Sequence, residues 1–204
     1  GDVYKRQVLI LAVVMTLVYL VVQYIIAGAI TGKNPFKALR NMMPAYFTAL
    51  GTSSSAATIP ISVESTLKNG ISRPVANFVI PLCATIHLSG SMIKLTLYAF
   101  AIVYMANLDI STSTGLGFIF LLGIMMIAAP GVPGGAVMVA AGLLADMMGF
   151  DDGMVALMIA AYIAIDSVGT AANVTGDGAI AMILDKFVGN REDATKEELT
   201  DPTA

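Results

Sequence analysis

Residues 41–63 read NMMPAYFTALGTSSSAATIPISV, an uncharged run whose placement decides the fold. It has about the length that crosses a bilayer, roughly 20 residues. Its centre, however, is Gly51-Thr52-Ser53-Ser54-Ser55, and Pro60 follows. Such a sequence makes a poor lipid-facing helix centre, because hydrocarbon cannot satisfy exposed hydroxyl or backbone groups. Lys33, Lys37 and Arg40 precede the run, and Lys68 and Arg73 follow it. Basic loops favour the cytoplasmic side, so both flanks belong to one side. The segment therefore enters and returns, a re-entrant hairpin over 41–66 with the serines at its tip.

The rest of the chain supports lipid as the solvent. Of 204 residues, 57% are hydrophobic and only 12% charged, about half the charge of a soluble domain. That excludes an ordinary soluble enzyme, and a net charge of -3 gives no basic stripe for nucleic acid. The single cysteine, Cys83, rules out an internal disulfide or a cysteine-based zinc site. Gly1–Gln7 is polar and lacks an initiator Met, so 1–7 is set aside as a remnant of sequence assembly, and the chain is expected to be the C-terminal part of a longer protein. The charged segment 189–204 is expected to be a disordered cytoplasmic tail.

Outward from the serines lie four more apolar stretches. The run 8–30 is charge-free and reads as a crossing. The run 74–108 reads as a second crossing, broken near Leu88-Ser89-Gly90-Ser91. Ile110–Ala145 is uncharged, too long for one span, and cut by Pro130-Gly131-Val132-Pro133-Gly134-Gly135. Its flanks carry Asp109, then Asp146, Asp151 and Asp152, and no Lys or Arg occurs between Lys94 and Lys186. Both flanks read as outside, which makes 110–148 a second hairpin entering from the opposite face. The last helix, expected as one element over 153–187, returns to the cytoplasm at Lys186 and Arg191. The fold class is an all-α membrane protein: three transmembrane helices and two opposed re-entrant hairpins. Two broken segments entering from opposite faces are the sequence pointer to a secondary-transporter site.

On the last helix, Asp166, Thr170, Asn173 and Asp177 recur at i, i+4, i+7 and i+11. At about 100° per residue they share one stripe. Intramembrane carboxylates mark ion or substrate pathways by default, and a carboxylate with an amide oxygen suits Na+ or a proton. A structural pair with Lys94 or with backbone is the alternative. Ser53, Ser54 and Ser55 can cap the second half of their hairpin and, at a half-helix N-terminus, attract a substrate carboxylate. His87, Ser91 and Lys94 share a face only if the helix is unbroken there. A re-entrant loop also serves ion channels, so a channel stays open as a class. So does an intramembrane serine hydrolase, although no G-x-S-x-G elbow occurs.

Together these segments resemble the C-terminal half of the dicarboxylate/amino acid:cation symporters, the bacterial relatives of glutamate and neutral amino acid transporters. The resemblance covers about 8–189 and rests on Ser53-Ser54-Ser55 with Pro60, on Gly131-Val132-Pro133-Gly134, and on Asn173-Val174-Thr175-Gly176-Asp177. It implies a partial elevator-type transport domain, without the scaffold helices through which the whole protein forms a homotrimer in a bacterial inner membrane. It implies that Ser53, Ser54, Ser55, Val132, Pro133 and Gly134 hold the substrate at the hairpin tips. Asp166 matches the carboxylate for the substrate ammonium, Thr170 and Asn173 match polar contacts, and Ser91 matches a threonine near an acidic side chain. Asn173 and Asp177 match Na+ ligands, with the Cys83 backbone and His87 beside them. Two departures stand out. His87-Leu88-Ser89-Gly90-Ser91 replaces Asn-Met-Asp-Gly-Thr, which removes cation oxygens and leaves H+ as an alternative to one Na+. Gly169 replaces the arginine that pairs a second substrate carboxylate. The expected substrate is thus a neutral amino acid, with an arginine at 169 expected to shift preference toward acidic ones.

Overall fold

The computed structural model describes residues 2–200, in which every regular element is helical. In chain order these are α1 (Asp2–Thr31), α2 (Pro35–Asn41), α3 (Met43–Thr52), α4 (Ser55–Leu67), α5 (Arg73–Ile86), α6 (Ser89–Met105), α7 (Thr112–Met125), α8 (Gly135–Met148), α9 (Asp152–Ala164) and α10 (Asp166–Thr200). A single 3-10 turn, Met126–Ala128, continues α7. By length and composition Arg6–Thr31 and Arg73–Met105 can cross a membrane, and α9 with α10 up to Val188 is apolar enough to do so as a pair bent by 61° at the break between them.

The chain breaks where its local chemistry dictates. α3 stops at Ser53, which adopts the left-handed conformation at φ 49, and Ser54 restarts the helix by accepting the Ala57 N–H at 3.2 Å. α3 and α4 then pack against each other. α7 starts on a Ser111 cap and ends in the Pro130–Gly134 turn, after which α8 returns along it. The hairpin over 41–66 closes at its open end through Asn41 Nδ2, which donates to Lys68 O (3.1 Å) and Asn69 Oδ1 (2.8 Å). Lys33 Nζ donates to Asn69 O (2.8 Å) and Gly70 O (3.0 Å), and Lys186 Nζ to Ile30 O. The ends of α1, of α4 and of the central part of α10 therefore lie together, with basic residues among them.

Four boundaries differ from the sequence expectations. The break in 74–108 falls at His87-Leu88, ahead of the expected Leu88–Ser91. It is held there because Asn173 Oδ1 accepts the N–H groups of Gly90 (2.7 Å) and Ser91 (3.4 Å), first-turn donors of α6 that have no partner within their own helix. The element over 153–187 is not one helix. It breaks at Ile165, so that Asp166 opens α10 rather than interrupting a helix. Finally, α10 runs on to Thr200, through most of the segment read as a disordered tail, while 201–204 lie outside the described residues; at the other end α1 already begins at Asp2.

α10 is the centre of the bundle. From Gly169 to Ala179 every residue is buried, the signature of a helix surrounded on all sides. It packs against α1, α3, α4, α5 and α6. One apolar core joins α6 to α9; the other joins α1, α3, α5 and α10. The polar stripe of α10 thus runs through protein, between the two cores.

Candidate functional site

The two hairpin tips meet each other and the start of α10. The Gly131 carbonyl accepts from Ser54 Oγ at 2.9 Å and from Ala56 N–H at 3.1 Å. Gly134, at φ 75, turns its N–H onto Asp166 Oδ2 at 2.7 Å; the left-handed backbone needed for this favours glycine. A cavity of about 10 Å³ remains between them, lined by Ser53, Ser55, Ser91, Val132, Asp166, Thr170 and Asn173 among others. That is room for no more than about one water. The tips are shut.

Most of the residues singled out from sequence converge here. Ser53, Ser55, Ser91, Val132, Asp166, Thr170 and Asn173 line the cavity directly. Ser54 works behind it, as helix cap and tip-to-tip donor, and Gly134 contributes its backbone N–H. Pro133 shapes the same turn but does not line the cavity. Asn173 is fixed on both sides: its Oδ1 caps α6, and its Nδ2 donates to Ser91 Oγ at 3.0 Å. Thr170 Oγ1 donates back to the Asp166 carbonyl at 3.0 Å.

Asp177 lies away from the cavity, 1% exposed, with Oδ1 2.8 Å from His87 Nδ1. His87 Nε2 is 3.2 Å from Gln23 Nε2. An ionised carboxylate only accepts, so His87 Nδ1–H is the donor to Asp177 Oδ1. The Cys83 carbonyl accepts the His87 N–H at 2.9 Å, which places it at the same break. Three buried oxygens on or near this chain of contacts in sequence, Gln23 Oε1, Ser89 Oγ and Thr175 Oγ1, have no hydrogen-bond partner. Carboxylate, amide and hydroxyl oxygens are hard donors of the kind an alkali cation takes. No group of three or more His, Cys, Asp or Glu side chains occurs among the described residues, and such a cation does not need one.

Sequence reasoning missed how much of this is held from outside the stripe. Gln23 on α1 reaches His87, and Tyr24 OH donates to the Thr175 carbonyl at 2.7 Å. Lys94 is fully buried. Its Nζ lies 3.4 Å from Asp166 Oδ1 and donates to the carbonyls of Ile165 (3.1 Å) and Asp166 (3.2 Å). It also stands 4.1 Å over the Tyr162 ring. The alternative pairing of Asp166 with Lys94 is therefore realised, and it coexists with the contact to the tip. Lone Gln and Tyr residues inside apolar helices give no sequence signal of their partners.

The chain matches the model of the sodium:dicarboxylate symporter family over residues 6–187. It is 30% identical over 179 residues to the neutral amino acid transporter B(0) of Mus musculus, covering 84% of this chain and 30% of that protein. It is 31% identical over 157 residues to the excitatory amino acid transporter 1 of Rattus norvegicus, covering 76% of this chain and 29% of that one. The chain spans about three tenths of the length of these relatives. It belongs to the sodium:dicarboxylate symporter family, whose members are membrane transporters and not enzymes.

Proposed function

We propose that the chain is the substrate-binding part of a secondary active symporter that moves a neutral amino acid together with Na+ by alternating access. One observation carries this: two helical hairpins and the polar stripe of α10 close on a single small cavity, with a carboxylate at its edge. In this reading the hairpins α3–α4 and α7–α8 are re-entrant from opposite faces, and either tip can withdraw to open the cavity to its own side. The substrate carboxylate takes the serine tip, and its ammonium takes Asp166 Oδ2 in place of the Gly134 N–H. Na+ is carried as cargo by Asp177, Asn173 and the Cys83 carbonyl. The contact between His87 and Asp177 supports a smaller Na+ count, with H+ as the competing driver. The long apolar face of α1, including Ile10, Val14, Val18 and Ile25, is covered by lipid or by the remaining helices of a homotrimer.

The favoured substrate follows from charge. A carboxylate left unpaired inside protein costs several kcal/mol, and the cavity lining holds no free cation. The decisive experiment is Na+ uptake by vesicles containing the full-length protein. Uptake that requires alanine or serine supports symport. Na+ flux without any amino acid identifies a channel, and amide or ester hydrolysis that depends on Ser53–Ser55 identifies a hydrolase.

A further inference from the structure

Gly169 and Lys94 occupy one space. A Cβ built at 169 would run into Lys94 Cε, fall 2.6 Å from its Nζ, closer than real contacts come, and lie a tight 3.2 Å from its Cδ. The end of a lysine ordinarily steps aside. This one is pinned: its three N–H groups match three acceptors, the Ile165 and Asp166 carbonyls and Asp166 Oδ1, and its open side faces the Tyr162 ring. Nothing is left over for a ligand, and Lys94 does not line the cavity although Tyr162 and Asp166 do.

We propose that Lys94, seated over Gly169, is a specificity-determining residue: it fixes Asp166 so that Oδ2 faces the cavity for a substrate ammonium, and it withholds its own charge from the cavity, so that a substrate with a second carboxylate is refused. This deepens the reading of the site as one for neutral amino acids and rests on it. It also corrects the expectation for an arginine at 169. The place that side chain would start from is filled, so Gly169→Arg alone drives a guanidinium into an ammonium instead of into the cavity. The lysine and the glycine are one device. Changing specificity requires changing both.

The test measures displacement of labelled alanine from the full-length protein in vesicles, using asparagine and aspartate, which share a shape and differ in charge. In the unmodified protein aspartate displaces at least about a hundredfold less well than asparagine, the size expected when a desolvated carboxylate finds no partner. Gly169→Ala weakens alanine binding at least about tenfold, even though alanine is the better helix former, and the double variant Lys94→Ala/Gly169→Ala loses less than the two single losses together. Gly169→Arg alone gains no aspartate binding. With Lys94→Ala added, it recovers binding and narrows the asparagine-to-aspartate gap at least about tenfold. Equal displacement by aspartate and asparagine in the unmodified protein overturns the proposal, as does an aspartate gain in Gly169→Arg alone or full binding by Gly169→Ala. If no neutral amino acid displaces or binds at all, the substrate reading itself fails. The pairing is then decided by melting temperature: a double variant Lys94→Ala/Gly169→Ala that melts no higher than the sum of the single losses predicts sinks it.

Discussion

Replacing Asp166 by Asn removes one charge from a pair that is buried on both sides, Lys94 fully and Asp166 at 5% exposure. At 3.4 Å two unit charges attract by about 5 kcal/mol at an effective dielectric constant near 20. Breaking such a pair by removing one partner costs about 3–5 kcal/mol, because the other charge stays buried without compensation. The amide keeps the shape and still offers an oxygen to Gly134 N–H, so packing changes little. Lys94→Met strands the carboxylate in turn and is expected to cost a similar amount. The double variant strands neither charge, so its loss should fall short of the sum by about 3 kcal/mol. The assay is a double-mutant cycle on the full-length protein in detergent without substrate, read from denaturant midpoints. Alanine binding is measured in parallel and should be lost in Asp166→Asn and stay lost in the double variant. Stability then recovers while binding does not, which separates the two roles of one carboxylate. Additivity within about 0.5 kcal/mol, the limit for uncoupled sites, would refute the ion pair as the origin of the effect.

Cysteines at Lys37 and Lys68 should label from the same side of sealed vesicles, since both line one cavity with Lys33 and Asn69; labelling from opposite sides ends the hairpin topology. Ser54→Ala removes both the cap on Ala57 N–H and the bond to Gly131 O, so a loss of about 1–2 kcal/mol is expected. Protease sensitivity of the tip reports it, and unchanged sensitivity counts against tip-to-tip closure. Ser53→Gly relieves a left-handed residue and should be neutral or stabilising by up to about 1 kcal/mol; a clear loss of melting temperature argues that the Ser53 hydroxyl matters more than the turn. Asp177→Asn should weaken alanine binding in a way that raising Na+ partly restores. If Na+ makes no difference to that variant, Asp177 serves His87 alone.

The turns were legible because small residues, prolines and glycines are local signals. Ser53–Ser55 and Pro130–Gly135 marked both helix breaks, and the i, i+4, i+7, i+11 spacing put Asp166, Thr170, Asn173 and Asp177 on one stripe that the structure keeps. The break at Ile165 was not legible, since neither proline nor glycine marks it. It forms where Asp166 is drawn to the Gly134 N–H and to Lys94, both distant in sequence. The same holds for His87: the helix break there looked set to scatter His87, Ser91 and Lys94. Each instead finds its own position on α10, namely Asp177, Asn173 and Asp166. Tertiary partners placed these residues, and no periodicity within one segment can show that.

Closure of the cavity depends on a shared acceptor. Ser54 Oγ and Ala56 N–H both bond the Gly131 carbonyl, so withdrawing either hairpin breaks the same two bonds. At a net value of about 0.5–1.5 kcal/mol each, that cost lies within thermal reach and is the same from either side. The asymmetry comes from Asp166. Withdrawing α7–α8 also pulls Gly134 N–H off a carboxylate, a charge-assisted bond worth about 1.5–3 kcal/mol, whereas withdrawing α3–α4 leaves it intact. Among the polar tip contacts alone, the α7–α8 turn is therefore held more tightly, while the serine hairpin is held in addition by the packing of α3 and α4 on α10. A substrate ammonium on Asp166 Oδ2 takes over the position of the Gly134 N–H and removes that difference. On the function proposed above, the carboxylate that takes the substrate ammonium is thus also the group through which occupancy changes the hold on the α7–α8 tip.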